Sequence, residues 1–211
     1  MKREKSQIID GFVVLDGQNY RNLKIDGEVT FSNEINSGVL HVDGKIICEK
    51  KARIKSIYID GIGQFAGDIF VEDKVYVDGK LLLGDNTIEA SDIRVDGTVE
   101  TKKNIIGKNI EIDGYVNATN IRGKRVTISD WKNNSKVFSS VIKKFFPNKI
   151  KISKVDNICG ETIDISYANV DTMEGKKIVI GKNCVVKKLI CEREPLIHKD
   201  STVEEIIRKR A

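Results

Sequence analysis

Residues 57–84 read IYIDGIGQFAGDIFVEDKVYVDGKLLLG, and this stretch contains the same five-residue pattern twice. The pattern is an apolar residue, any residue, a second apolar residue, Asp and Gly, and it occupies residues 57–61 and 75–79. Two independent hairpins could each require an Asp-Gly turn, or one structural unit could be copied along the chain. The two explanations differ in spacing, because only copied units must recur at a constant period.

The pattern occurs six times in one register, with intervals between successive Asp residues of 17, 17, 18, 18 and 17. A seventh copy at 126–130 keeps the alternation but lacks the Asp-Gly pair, as a terminal copy often does. We expect each Asp to accept hydrogen bonds from backbone N–H groups of its own turn, and each Gly to supply the dihedral angles of a tight corner. The predicted turn residues are Asp26, Gly27, Asp43, Gly44, Asp60, Gly61, Asp78, Gly79, Asp96, Gly97, Asp113 and Gly114.

Six equally spaced copies predict a solenoid, in which residues one period apart lie above one another. Two columns, beginning at Leu23 and Ile25, are aliphatic in all six copies and are expected to face inward. The column between them begins at Lys24, is polar or amphipathic throughout, and is expected to face solvent. Two residues after each Gly comes a further apolar position, with Gly63 as the single exception. Ile and Val dominate the apolar residues, and these β-branched side chains favour strands.

The sequence therefore predicts an all-β fold, a single-stranded right-handed parallel β-helix with 17–18 residues per coil. Three short strands per coil would give a triangular solenoid. The right-handed form is favoured because only the Asp-Gly face is regular, whereas a left-handed β-helix repeats hexads on all three faces. Stacked carboxylates could bind a cation such as Ca²⁺, but calcium-binding nonapeptide rolls have a denser Gly/Asp pattern. We predict no metal site and no cofactor.

The C-terminal part of the chain returns to the same period. Residues 180–190 and 197–207 align at an offset of 17, and a further copy is expected at 163–165 below 178–180. This alignment brings opposite charges together, which favours it over a slipped register. The charged neighbours are Lys187 and Lys188 with Glu204 and Glu205. The chain then divides into an N-terminal cap or partial coil (1–20), a β-helix repeat block (21–130), a basic aromatic insert (131–151) and C-terminal coils with a cap (152–211).

The insert at 131–151 contains six lysines and no acidic residue. The net charge of the chain is +5, so the remainder without the insert carries −1. Apolar residues at helical spacing, ended by Pro147, predict a short amphipathic helix or an irregular segment. It either packs on the side of the solenoid or presents a basic aromatic face to an anionic membrane or an acidic protein partner. The candidate contact residues are Trp131, Lys136, Phe138, Lys143, Lys144, Phe145 and Phe146. Nucleic acid is disfavoured, because no nucleic-acid-reading motif accompanies the lysines.

The two ends of a β-helix each expose unpaired backbone groups over an apolar core, and such ends must be capped or paired. If each end pairs with its own kind, one such contact makes a dimer and two different ones make an open filament. A second copy of this chain is therefore the predicted partner. The candidate polymerisation residues are Phe12, Val13, Leu15, Val203, Ile206 and Ile207. We expect the charged residues 208–210 to blunt the C-terminal end.

The repeated VDGK, IDGE and VDGT rungs in an Ile/Val-rich solenoid resemble the bactofilins, a family of bacterial cytoskeletal proteins. Residues 161–209 are similar to the C-terminal part of the longer bactofilins of Gram-positive bacteria, which also carry a basic, Phe-rich insert. The resemblance covers about residues 20–209. It implies a right-handed β-helix that polymerises end to end without nucleotide into non-polar filaments. It also implies a position near the membrane and a role in cell shape or organisation.

The alternative is an enzyme, a hexapeptide-repeat-like acyltransferase on a left-handed β-helix. The segment IGKNC at 180–184 is locally similar to such repeats, and these enzymes usually use a His as general base. Only His41 and His198 are present, and neither lies near a sequence signal for an acyl-donor site. The sequence also lacks a phosphate-binding glycine loop, a metal-ligand cluster and a nucleophile paired with a base. We therefore expect a protein without catalytic activity.

The location predicted from the sequence is cytoplasmic, with a peripheral position at the inner face of the membrane where the insert binds it. No apolar run approaches the roughly 20 residues of a membrane-spanning helix. The apolar run near the N-terminus is broken at once by Asp10-Gly11, unlike that of a signal peptide. The four cysteines have no CxxC spacing and are expected to be small buried residues in a reducing compartment.

Overall fold

The computed structural model describes residues 5–17, 19–129 and 151–209. These residues form strands and connecting segments, and none of them lies in a helix. The strands are β1 (Lys5–Leu15), β2 (Asn19–Phe31), β3 (Ile35–Cys48), β4 (Ala52–Phe65), β5 (Ile69–Gly84), β6 (Ile88–Thr101), β7 (Asn104–Ser129), β8 (Ser153–Ile165), β9 (Ala168–Ile180), β10 (Val185–Cys191), β11 (Leu196–Ile197) and β12 (Thr202–Arg208).

Consecutive strands pair in parallel, one above the next, from β1 through β10 to β12, while β11 pairs with β9. The register is the predicted one: Asp60 lies opposite Asp43 on one side and Asp78 on the other, and Ile59 lies opposite Val77. Parallel pairing of each strand with the next, in a constant register, is the topology of a β-solenoid. The predicted parallel β-solenoid is therefore confirmed, while its handedness stays a prediction.

Each coil has three faces, which the burial pattern of β3 makes visible. Its buried residues come in three pairs: Ile35 with Ser37, Leu40 with Val42, and Ile46 with Cys48. Within a pair one outward residue separates the two buried ones, as strand geometry requires. Between pairs this alternation is interrupted, so the chain turns a corner there. We name the faces A (residues 35–37 and their equivalents), B (40–42) and C (46–48).

The corners bend the strands without ending them. The sequence predicted three short strands per coil, whereas the structure has strands of 13 to 16 residues from β2 to β6. Backbone pairing between neighbouring coils continues through the Asp-Gly corner between faces B and C. Because a parallel ladder survives the corner, one strand runs through it.

The core consists of the predicted apolar columns. Every residue of the columns that begin at Leu23 and Ile25 is buried, at no more than 3% exposure. Gly63, the exception to the third apolar column, is explained by its neighbours. A Cβ atom at Gly63 would lie 2.6 Å from Cδ1 of Ile59 and 3.1 Å from the ring of Phe65. The missing side chain therefore makes room for both Ile59 and Phe65 of the same coil.

The N-terminal segment contains one more copy of the repeat than predicted. Strand β1 pairs with β2 so that Asp10 lies opposite Asp26 and Gly11 opposite Gly27. The interval between these Asp residues is 16 rather than 17 or 18. Gln7 stands at the first inward position of this copy, opposite Leu23, where the six predicted copies have an aliphatic residue. The described part of residues 1–20 is thus a coil of the solenoid.

The C-terminal register is confirmed, with one different ion pair. Val186 lies opposite Val203, and residues 163–165 lie opposite 178–180, as predicted. The Nζ of Lys188 lies 3.8 Å from Oε2 of Glu205. Lys187 instead directs its Nζ to Oδ1 of Asp171, at 2.7 Å, and not to Glu204. Asp171 lies on the coil below Lys187, and Glu204 lies on the coil above it. Lys187 therefore pairs with the acidic residue of the preceding coil and not with the predicted one of the following coil.

The insert interrupts one Asp-Gly corner and leaves the stack in register. Ser129 lies above Asp113, since its Oγ donates to Oδ1 of Asp113 at 3.1 Å. Lys154 lies opposite Asn117. Between Ser129 and Lys154 the chain has 24 residues, whereas between Asp113 and Asn117 it has three, so this corner contains 21 added residues, the length of 131–151. The predicted helix and the contact residues at 131–146 lie outside the described residues.

Candidate assembly surfaces at the two ends of the solenoid

The N-terminal end is an open strand edge. In the part of the chain that the structure describes, β1 pairs with β2 alone, so the backbone of its other edge is free. This edge is 11 residues long, with the sequence KSQIIDGFVVL. Proteins usually protect edges with short strands, proline or several charges, whereas the charged residues here are Lys5 and Asp10 only. Such an edge is a template for pairing with another chain.

Three apolar side chains of β1 point away from the core. Ile8 is 71% exposed, Phe12 87% and Val14 72%. The residues opposite them on the next coil are polar, namely Lys24, Glu28 and Thr30. The outward surface therefore becomes apolar at the terminal coil, where a second surface could cover it.

The predicted N-terminal contact residues divide into two groups. Phe12 is exposed, whereas Val13 and Leu15 are half-buried and pack against the core. Ile8 and Val14 were missed. Recognition of Asp10-Gly11 as a copy of the repeat would have placed both at outward positions of the first coil.

The C-terminal end exposes the ends of the inward columns. Ile197, Val203 and Ile206 lie over Ile180, Val186 and Leu189, which are buried. Ile197 is 39% exposed, Ile206 44% and Val203 is half-buried, because no described residue covers them. Of the predicted contact residues, Val203 and Ile206 thus end inward columns, while Ile207 occupies an outward position over Ile190. Leu196, 66% exposed, and Ile197 were missed.

The charged residues expected to blunt this end are engaged elsewhere. Arg208 forms an ion pair with Glu194, and Lys209 forms one with Glu174 on β9. The hydrogen bond to Glu174 and its negative charge raise the pKa of Lys209 above its usual value. Arg210 lies outside the described residues. The exposed charged residues of β12 itself are Glu204, Glu205 and Arg208.

The Asp-Gly corner is a close contact between coils. Gly27, Gly44, Gly61, Gly79, Gly97 and Gly114 have φ values between 136° and 151°. A Cβ atom at any of them would lie 2.1 to 2.5 Å from the carbonyl oxygen of the Gly on the preceding coil. Both observations require glycine at these six positions.

The Asp column differs from the prediction. In the described coils, the hydrogen bonds that these Asp carboxylates accept come from side chains and not from the backbone of the turn. Lys24 Nζ donates to Asp26, Tyr76 Oη donates to Asp96 at 3.2 Å, and Ser129 donates to Asp113. Lys24 and Tyr76 lie on face B beside the column, whereas Ser129 occupies the column position above Asp113. Across residues 5–17, 19–129 and 151–209, no Lys or Arg nitrogen lies within 4.0 Å of Asp60 or Asp78.

Burial raises the pKa of Asp78, and the neighbouring carboxylates of Asp60 and Asp96 raise it further. Burial likewise raises the pKa of Asp113, opposed by the hydrogen bond from Ser129 and supported by the charge of Asp96. The folded state therefore favours the protonated forms of these two side chains.

Replacement of Asp78 with Asn is expected to stabilise the protein at pH 7, with an effect that shrinks as the pH falls to 4. A raised folded pKa contributes stability below the unfolded pKa of about 3.9, and this contribution is lost as the pH rises through the folded pKa. Asn cannot ionise and avoids the loss. Urea midpoints at both pH values measure the difference, with Asp73→Asn, outside the column, as the control for one lost charge. Equal effects of Asp78→Asn at pH 4 and pH 7 would contradict the argument.

The histidine and cysteine side chains of the described residues do not lie together in one site. Among the described residues, no three His, Cys, Asp or Glu side chains are placed to hold a metal ion. His41 stacks on Tyr58 with ring centroids 4.7 Å apart, and Nδ1 of His198 accepts the N–H of Asp200 at 3.2 Å. Cys48, Cys184 and Cys191 are buried as predicted, but Cys159 is exposed, because it occupies an outward position on face A.

Comparisons with protein-family models, curated proteins and solved structures find no match to this chain. No helix long and apolar enough to cross a membrane occurs among residues 5–17, 19–129 and 151–209.

Proposed function

We propose that this protein is a structural scaffold that polymerises end to end through the two terminal coils. The observation that carries the proposal is the distribution of exposed apolar residues. Of the ten exposed large hydrophobic residues in the described chain, six belong to the first or the last coil. The flanks between the ends carry mostly polar side chains and ion pairs, so association through the ends removes more apolar surface from water than association through the flanks.

The open backbone edges favour the same geometry. A solenoid has no lateral strand edge, and the free N–H and C=O groups lie only on its first and last coils. Two different end contacts in alternation produce an open filament. The resemblance of the rungs to bactofilins supports a cytoskeletal filament that forms without nucleotide. It also supports a role of this filament in cell shape or organisation in the cytoplasm.

Sedimentation and negative-stain electron microscopy test the proposal with the full chain at neutral pH and no added nucleotide. We expect large, linear assemblies. A variant with charges at both ends, Phe12→Asp with Ile206→Asp, is expected to sediment as a monomer. The matched variant Phe70→Asp changes a side chain of β5 that is 37% exposed on the flank, and is expected to assemble normally. A monodisperse wild-type monomer at tens of micromolar would overturn the proposal.

The insert is proposed to bind an anionic membrane surface at the flank of such a filament. The chain leaves the stack at Ser129 and returns at Ser153, both at the corner between faces B and C and away from both ends. Each lysine close to an anionic membrane contributes about 1 kcal/mol, and the insert carries six. Membrane binding and end-to-end assembly then use separate surfaces, and the proposed location of the scaffold is the inner face of the membrane.

Deletion of 131–151 together with Asp130→Gly is expected to leave fold and assembly unchanged and to abolish membrane binding. The remaining five residues, 129, 130 and 152–154, match the length of the corner 113–117, and the new Gly matches Gly114. Circular dichroism, sedimentation and flotation with vesicles of anionic or neutral lipid measure the three properties. The triple variant Lys136→Gln, Lys143→Gln, Lys144→Gln controls for charge and is expected to weaken binding to anionic vesicles. Equal flotation of wild type and deletion variant would contradict this role, whereas loss of the fold would contradict the corner assignment.

A further inference from the structure

We infer that the N-terminal end contacts a second copy of this chain through antiparallel pairing of the two β1 edges, about a two-fold axis at Gly11. The inference rests on the proposed function and specifies one of its two contacts. It follows from three properties of the first coil: the position of its bend, the symmetry of its apolar residues and their exposure.

The bend restricts the possible registers. β1 turns its corner at Gly11, where φ is 90°. Two coaxial solenoids that meet end to end must superpose their corners, because otherwise the faces of one would lie across the edges of the other. In a contact between identical surfaces related by a two-fold axis, the paired strands run antiparallel. The bend therefore pairs Gly11 with Gly11 of the second copy.

This register is supported by an apolar pattern that is symmetric about Gly11. Three residues before it stands Ile8 and three after it Val14, both exposed and directed outward. Two residues before it stands Ile9 and two after it Val13, which both belong to the core side of the coil. The axis thus pairs an outward residue with an outward one, and an inward residue with an inward one.

The pairing also explains why three apolar residues occupy outward positions on this one coil. In the antiparallel register Ile8 lies directly opposite Val14 of the second copy, a pair that buries two exposed β-branched side chains against each other. Phe12, at 87% exposure, lies beside Asp10 of the second copy at the corner. A shift of the axis to residue 10 or 12 would instead pair Ile8 with Phe12, or Phe12 with itself, and would place the two bends out of alignment.

Disulfide cross-linking of the full chain tests this register. All variants carry Cys159→Ser, because Cys159 is an exposed native thiol whereas the other three cysteines are buried. Directly opposite residues have Cβ atoms about 4.5–5.5 Å apart, close enough for a disulfide after small adjustments. Positions 8 and 8 of the two copies are instead separated by six residues of chain across the bend at Gly11, so they are not directly opposite each other.

We expect an equimolar mixture of Ile8→Cys and Val14→Cys chains to form a disulfide-linked dimer on mild oxidation, and each variant alone to form none. Phe70→Cys, at an exposed flank position, serves as the control for random collision between thiols. Cross-linking of Phe12→Cys with itself, or of Ile8→Cys with Phe12→Cys, in place of the 8–14 pair would overturn the register.

Sedimentation of the same samples separates this inference from the proposed function. Large assemblies without the 8–14 cross-link would refute the Gly11-centred contact and leave end-to-end assembly standing. A monomer in all samples would refute both. A linked 8–14 dimer in the Ile206→Asp background, where the C-terminal end is charged, would support the N-terminal contact by itself.

Discussion

Replacement of Gly79 with alanine is expected to destabilise the protein by about 3–5 kcal/mol. The φ angle of Gly79 is 138°, which L side chains rarely adopt, and a Cβ atom would lie 2.2 Å from the carbonyl oxygen of Gly61. That oxygen belongs to the backbone ladder, so it cannot move unless the two coils separate. The loss combines backbone strain with a steric conflict in the centre of the stack.

Gly84 provides the matched control for this change. It also has a positive φ, 55°, but no atom lies within 4 Å of its Cβ position. Gly84→Ala is therefore expected to cost only the strain of the left-handed conformation, about 1–2 kcal/mol. Denaturation midpoints compared at equal protein concentration measure both, since the proposed assembly would make apparent stability depend on concentration. Similar losses for the two variants would mean that the spacing between coils does not require the glycine column.

Truncation of Phe65 to alanine is expected to cost about 3–5 kcal/mol, as for other buried aromatic residues. Phe65 is 2% exposed and lies on face C opposite Cys48 of the coil below. Parallel coils are held by backbone hydrogen bonds on both sides, so the core cannot collapse into the space that the ring leaves. The midpoint of chemical denaturation is the measurement.

Two comparisons sharpen this second prediction. Phe70→Ala removes a flank ring that is 37% exposed, with the guanidinium carbon of Arg53 5.6 Å from its centroid, and is expected to cost no more than about 1 kcal/mol. Gly63→Ala is expected to be less harmful in the Phe65→Ala background than in the wild type, because the Phe65 ring 3.1 Å from its Cβ position is gone and Ile59, at 2.6 Å, can move into the space. Additive losses for positions 63 and 65 would refute the size complementarity between them.

The insert shows how a solenoid accepts additional chain without loss of register. An insertion within a face would shift every outward residue of that face inward. At a corner the chain already leaves the strand alternation, and 131–151 leaves Ser129 above Asp113 and Lys154 opposite Asn117. Function can therefore be added at the Asp-Gly corner independently of the ends, as the separation of the two proposed binding surfaces requires.

Much of the fold could be predicted from the spacing of a few residues. The equal intervals between Asp26, Asp43 and Asp60 identified the solenoid, its register and its buried columns. The C-terminal alignment of Val186 with Val203 followed from the same period. The first coil escaped detection because Gln7 replaces the expected aliphatic residue and because the interval from Asp10 to Asp26 is 16. The hydrogen bonds of the Asp column could not be predicted, because their donors come from different positions: Lys24 lies on the same coil as Asp26, whereas Tyr76 lies on the coil before Asp96.

The sequence by itself determined which residues are stacked, because alternation along a strand and a constant period along the chain are properties of residue order alone. Only the tertiary structure decided which of those residues are exposed at the ends. Ile8, Phe12 and Val14 are apolar residues on outward positions, and nothing in their local sequence distinguishes them from residues covered by another segment. Their exposure depends on where the stack of coils ends, which is a property of the assembled solenoid and not of any single repeat.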